Sequence, residues 1–183
     1  MAADLVERAQ RGDHDAFDLL ARSSIDRLYA IASRVLRNPA AAEDAVQECL
    51  VRAWRDLRAL RDPARFEAWL YRLLLNACRD EQRRSQRRPK VVDIGTATPI
   101  ASDDLAGVAQ RDELARGLDR LSIDHRMALT LHHYLGLRAI DIARVLGVPE
   151  GTVTSRLHYG ARALRTALEA PGLGGPAPRG SRR

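Results

Sequence analysis

Seven apolar residues between positions 66 and 78 constrain this chain most: Phe66, Trp69, Leu70, Leu73, Leu74, Ala77 and Cys78. They fall at i, i+3, i+4, i+7, i+8, i+11 and i+12, the spacing of one face of a single helix. A stripe that long must be covered by other elements, and the remaining sequence offers helices to cover it. Aromatic residues make up only 4% of the chain, helix formers dominate, and runs alternating apolar with polar are scarce. The expected fold is therefore all-α. Arg72, Asn76, Arg79 and Arg83 share the opposite face, continued by Arg84, Arg87 and Arg88. Such a stripe can track a phosphate backbone, or it can be a solvated helix end with cations at its negative pole.

Upstream, Leu5 to Arg88 reads as one helical unit. A short helix carrying Leu5, Val6 and Ala9 stops at Gly12-Asp13. A longer one carries Phe17, Leu20, Leu28, Ile31, Ala32, Val35 and Leu36, and ends at Asn38-Pro39. Glu43 to Leu57 then turns Ala45, Val46, Cys49, Leu50, Ala53, Trp54 and Leu57 inward. Asp44, Gln47, Glu48, Val51 and Arg55 share its outer face, a mixture unusual for a merely solvated surface. Two explanations stand side by side: a docking face, or acids (Glu43, Asp44) that complement the helix N-terminus. The loop Leu60-Arg61-Asp62-Pro63 leads into the helix of the long stripe.

Residues 89–110, PKVVDIGTATPIASDDLAGVAQ, lose the helical period and read as a flexible linker. One lysine, Lys90, stands there against Asp93, Asp103 and Asp104, so the linker is acidic. A second helical unit spans 111–170. Leu114, Ala115, Leu118 and Leu121 mark its first helix; Met127, Ala128, Leu131 and Leu135 mark its second, with Ser122 as N-cap and Gly136 as stop. In Arg138 to Arg165, Ile142, Ala143 and Leu146 face inward and Gly147 sits where a left-handed C-cap is wanted. Pro149 suits the first turn of the next helix, in which Val153, Leu157, Ala161, Leu164 and Leu168 are expected inward. Thr154, Ser155, His158, Tyr159 and Arg162 face out. This is a helix-turn-helix pattern whose outer row has the size and polarity to enter a major groove, though an ordinary helical hairpin would carry the same inward stripe. Residues 171–183, rich in Pro and Gly, are expected to be disordered.

The formal net charge is +6, and Lys90 is the only lysine among 30 basic residues. Arginine is the better fork for phosphate and guanine, which suits a nucleic-acid partner, although a coding bias toward Arg and Ala explains much of the skew. No run is long and apolar enough to span a bilayer, and MAADLVERAQRGD holds no signal core, so a cytoplasmic protein without membrane insertion is expected. Cys49 and Cys78 are expected as buried thiols, with no metal-ligand spacing around them. His132 and His133 are adjacent and have no nucleophile or carboxylate spaced to work with them, so the chain reads as no enzyme, with no cofactor, metal or small-molecule substrate.

AAAEDAVQECLVRAW followed by RFEAWLYRLLLNACRDEQRR resembles region 2 of a bacterial RNA polymerase sigma factor of the compact extracytoplasmic-function type. LGLRAIDIARVLGVPEGTVTSRLHYGARALR resembles its region 4. The resemblance covers Leu5 to Leu168 and implies two small helical domains, 1–88 and 111–170, joined by a linker that threads the polymerase channel. Its partners would be core polymerase (β′ and β subunits), promoter DNA and an anti-sigma factor. It assigns Asp44, Gln47, Glu48 and Val51 to docking on the clamp coiled coil of β′. Arg61, Arg65, Arg72, Asn76, Arg79 and Arg83 would contact and help melt the −10 element, where unstacked bases must be held and arginines grip the backbone. In region 4, Thr154, Ser155, His158 and Tyr159 would face the −35 bases, with Arg156, Arg162 and the amides of Gly151 and Thr152 on phosphates. A free-standing helix-turn-helix regulator is the alternative.

The chain departs from the family pattern at several of these positions. Thr154 and Tyr159 stand where relatives commonly carry basic residues, Arg138 replaces a hydroxyl N-cap, and Ile140 replaces an acid. Gly160 lies inside the recognition helix at a cost of about 1 kcal/mol against alanine. Weak −35 binding by the second unit alone is the expectation.

Overall fold

The structure is a computed structural model, and it describes residues 2–87 and 117–169. The linker 89–110, Arg88, Leu114, Ala115 and the tail 171–183 lie outside the described residues, as does the side chain of Leu168. All regular structure among the described residues is helical.

Helix α1, Ala2–Gln10, ends where expected: Gly12 takes a left-handed φ of 97° and Asp13 caps α2, His14–Leu36, by accepting from the amide of Ala16. At the far end of α2, Arg37 stands in the left-handed region at φ 60°, a conformation that favours Gly or Asn. Helix α3, Pro39–Asp56, begins four residues earlier than the hydrophobic period suggests. Asn38 caps it by accepting from the Ala41 amide at 2.9 Å, and Pro39 occupies the first turn. Asn38-Pro39 therefore starts one helix as well as stopping another. Two 3-10 turns, Leu57–Ala59 and Pro63–Arg65, lead into α4, Phe66–Arg87. The side chain of Gln10 pins that loop, donating to the carbonyls of Leu57 and Leu60 at 3.0 and 2.7 Å.

In the second unit, Ser122 caps α5, Ile123–His133, through the His125 amide. Helix α6, Ala139–Leu146, ends on Gly147 at φ 67°, and α7, Glu150–Glu169, follows after Pro149. The stripe of α7 differs from the expected one. Val153 and Gly160 are buried, Leu157 and Leu164 half-buried, and Ala161 is exposed, because Gly160 and not Ala161 meets α5.

The two units are not separate bodies. One contiguous apolar core holds Leu28, Val35, Leu70 and Leu74 of the first unit together with Met127, Leu131, Ile142 and Val153 of the second. Helix α5 lies along α2, and α6 abuts α4. Arg37 pairs with Asp119 at 2.7 Å, and the Arg34 guanidinium sits 4.0 Å over the Tyr134 ring.

Candidate nucleic-acid interface

The outer face of α3 stays open. Asp44, Gln47 and Val51 are exposed, while Glu48 is half-buried and held by Arg52 at 2.7 Å, with Arg52 reaching on to Asp80 at 3.0 Å. Because α3 begins at Pro39, its first turn contains no acid, and Glu43 and Asp44 stand too far along to complement the dipole. Their place on this face therefore has no helix-end explanation. Val51, at 56% exposure, is among the most exposed large apolar side chains described. Trp54, expected inward, sits at the margin, its ring 4.6 Å from His14 and 5.0 Å from Phe17.

The basic side of α4 divides in two. Arg61, Arg65, Arg72 and Arg83 are exposed, with Arg65 paired to Asp62 at 3.0 Å. Asn76 and Arg79 are half-buried: Arg79 donates to Asn76 and, from Nη2, to Asp124 of α5 at 3.3 Å. The Arg72 guanidinium lies against Gly147, close enough that a Cβ there would meet its Nη2 at 3.4 Å. The stripe read from sequence as one surface is thus partly roofed by the second unit.

On α7, Thr154, Ser155, His158, Tyr159 and Arg162 are all exposed, Tyr159 at 58%. The hydroxyls of Thr154 and Ser155 turn back to the carbonyls of Glu150 and Thr152 at 3.2 and 3.0 Å. His158 and Tyr159 stack edge to face at 5.6 Å, forming one aromatic corner on the row. Gly151 is exposed, whereas Thr152 is half-buried with its amide donating to Pro149. Arg156, expected on a phosphate, instead donates to Asp124 at 2.9 Å. Sequence reasoning missed Asp124 and Asp119 altogether. Asp124 reads as an ordinary first-turn acid after Ser122, and nothing in the linear pattern marks partners 45 and 32 residues away.

Both cysteines are buried, and desolvation pushes each thiol up to about 12. No group of His, Cys, Asp or Glu among the described residues could hold a metal, and none of their helices is long and apolar enough to cross a membrane.

Comparison with known proteins agrees with this arrangement. Residues 20–88 match Sigma-70 region 2, and residues 111–164 match Sigma-70, region 4. Over 151 residues the chain is 40% identical to ECF RNA polymerase sigma factor SigL of Mycobacterium tuberculosis, covering 80% of this chain and 85% of that protein. Over 178 residues it is 31% identical to the ECF RNA polymerase sigma-E factor of Escherichia coli, covering 90% and 93%. Two solved structures share the fold at 26% identity each. One is CnrH in complex with the cytosolic domain of CnrY, with TM-score 0.70 and 93% of this chain and 99% of that chain covered. The other is the sigma factor RpoE in complex with the anti-sigma factor NepR from Bartonella quintana, with TM-score 0.66 and coverage of 84% and 97%. With an exposed outer face on α3, a basic α4 and an exposed polar row on α7, matched in order by regions 2 and 4, the chain belongs to the ECF family of RNA polymerase sigma factors.

Proposed function

We propose that this sigma factor docks on core RNA polymerase through Asp44, Gln47, Glu48 and Val51. Arg61, Arg65, Arg72, Asn76, Arg79 and Arg83 hold and help open the −10 element. Thr154, Ser155, His158, Tyr159 and Arg162 face the −35 element, with Arg156 and the amides of Gly151 and Thr152 on its phosphates. It works in the cytoplasm, performs no catalysis of its own, and is held by an anti-sigma factor when idle.

The observation that carries this reading is the exposed apolar-acidic face of α3, which no helix-end electrostatics accounts for. A free-standing regulator would have no use for it. The polar row on α7 supplies side chains that accept and donate at base edges, and a fork such as Arg162 supplies phosphate contacts at the rim. The basic side of α4 lies one element away from the docking face, so polymerase held on α3 would present opened DNA to it.

Transcription in vitro with core polymerase over a promoter library tests the proposal. Transcripts are expected to start downstream of a shared two-block motif, and start sites without one would overturn the reading. Replacing Arg72, Asn76 and Arg79 together with Ala is expected to abolish promoter opening, read by permanganate footprinting, while core binding persists.

A further inference from the structure

Gln10, the last residue of α1, directs its side-chain amide into the loop ahead of α4. Its Nε2 donates to the carbonyls of Leu57 at 3.0 Å and Leu60 at 2.7 Å, so both amide protons go to one stretch of backbone. The two carbonyls bracket the first 3-10 turn, and that of Leu57 also accepts from the Leu60 amide at 3.1 Å. Leu57 is buried and Leu60 half-buried, which anchors the turn in the core through its side chains and on Gln10 through its carbonyls. Beyond Leu60 the chain passes through Arg61 and Asp62 outside any helix, until Asp62 caps the second turn by accepting from the Ala64 amide at 3.1 Å. Arg61 and Arg65, both exposed, stand on either side of that cap. Helix α1 packs against both turns, and Arg58 of the first lies against Gly12, where an added Cβ would be 3.8 Å from its Nη2. The end of α1 is itself held, by the Arg8 pair with Asp13 at 2.8 Å and by the Gly12 amide donating to Ala9. Backbone that no helix holds therefore takes its position from one amide on a fixed platform.

We infer that Gln10 is a positioning residue for the −10 element: its two hydrogen bonds fix the peptide segment from which Arg61 and Arg65 reach the DNA. The inference rests on the assignment of those two arginines to the −10 element. Gln10 itself touches no DNA in this role. A side chain must carry two donors at this reach to hold both carbonyls. A carboxylate would set its charge against two carbonyl oxygens, and a thioether would leave both without this partner. Shifting the segment by about 1 Å would leave the core packed, yet it would take both guanidiniums out of register with the strand they hold.

The test uses the full chain with core polymerase, at subsaturating protein, on a promoter found by transcription. The rate of strand opening is read by permanganate footprinting on that promoter, on one with a single base pair changed in the −10 element, and on one changed in the −35 element. The ratio of matched to changed promoter is independent of the folded fraction, which cancels. Gln10→Met, of similar length and without a donor, is expected to lower the −10 ratio about fivefold while the −35 ratio stays within about twofold. Gln10→Lys, whose ammonium keeps the donors, is expected to restore most of the −10 ratio. If circular dichroism shows that Gln10→Met loses helix, Gln10→Glu, of equal shape and without a donor at neutral pH, takes its place. Equal falls in both ratios overturn the positioning role, as does an unchanged −10 ratio where Arg61→Ala/Arg65→Ala lowers it. A −10 ratio unchanged in that arginine pair is a separate result: it overturns the assignment of the loop to DNA, on which the inference rests.

Discussion

At Gly160 the backbone of α7 passes so close to α5 that an added Cβ would lie 3.2 Å from Leu129 Cδ1 and 3.4 Å from His125 Cβ. The glycine that costs helix propensity is therefore the one that admits the crossing. Gly160→Ala should fail to return the roughly 1 kcal/mol that an exposed helix site gives, and Gly160→Leu should cost about 2 kcal/mol or more, both read by urea unfolding. Asp13 carries a second prediction. The Ala16 amide, and then Arg8, hold its carboxyl below the ordinary value of 3.8. A depressed carboxyl stabilises the fold above its unfolded pKa, and that contribution is lost as pH falls through the folded one. Asp13→Asn should melt below the wild type at pH 7, with a smaller gap at pH 3. An equal gap at both pH values would show that charge is not what Asp13 contributes.

Among the elements, α3 is where sequence and structure differ most usefully. Its apolar period puts the start at Glu43, but the start is set by Asn38 and Pro39, which a reading by period alone assigns to the end of α2. Four residues of difference move Glu43 and Asp44 out of the first turn and change what they can be for. Val51 is exposed and lies outside the core, so Val51→Arg should leave the melting temperature within about a degree while weakening binding to core polymerase tenfold or more, measured by competition. Unchanged binding would remove this face from docking. Glu48 is a poorer probe, because removing it also strips Arg52 of one of its two acids. On α4, the split between exposed Arg72 and Arg83 and half-buried Asn76 and Arg79 is likewise invisible in the stripe, since what covers the latter pair comes from the other unit.

Over the whole molecule, the second unit closes on the first through a shared apolar core with ion pairs at its edge. Arg37 with Asp119, and Arg79 with Asp124, are partly exposed, so each contributes on the order of 1 kcal/mol or less and is screened by salt. The cation–π contact of Arg34 with Tyr134 adds a similar amount. These pairs are the salt-sensitive part of a closure whose remainder is apolar contact. Raising NaCl from 0.05 to 0.5 M should therefore lower the closed fraction in the full chain, labelled for FRET on α1 and α7, while helicity stays constant. A closed fraction indifferent to salt would place closure in the apolar core alone.

The sequence by itself determined the α-helices apart from where α3 starts, the turn glycines at 12, 136 and 147, the cap at Ser122, and the outward row of α7. Each of these is a local consequence of side-chain period, backbone φ or a hydroxyl or carboxylate three residues from an open amide. Only the tertiary structure decided that Gly160 rather than Ala161 meets α5, that Arg79 and Asn76 are covered while Arg72 is not, and that Asp124 serves two arginines from distant parts of the chain. Those facts depend on how helices distant in the chain pack, α7 on α5 within the second unit and the second unit on α4 of the first. A pattern with a period of 3.6 residues carries the direction of a side chain but not the identity of what it meets.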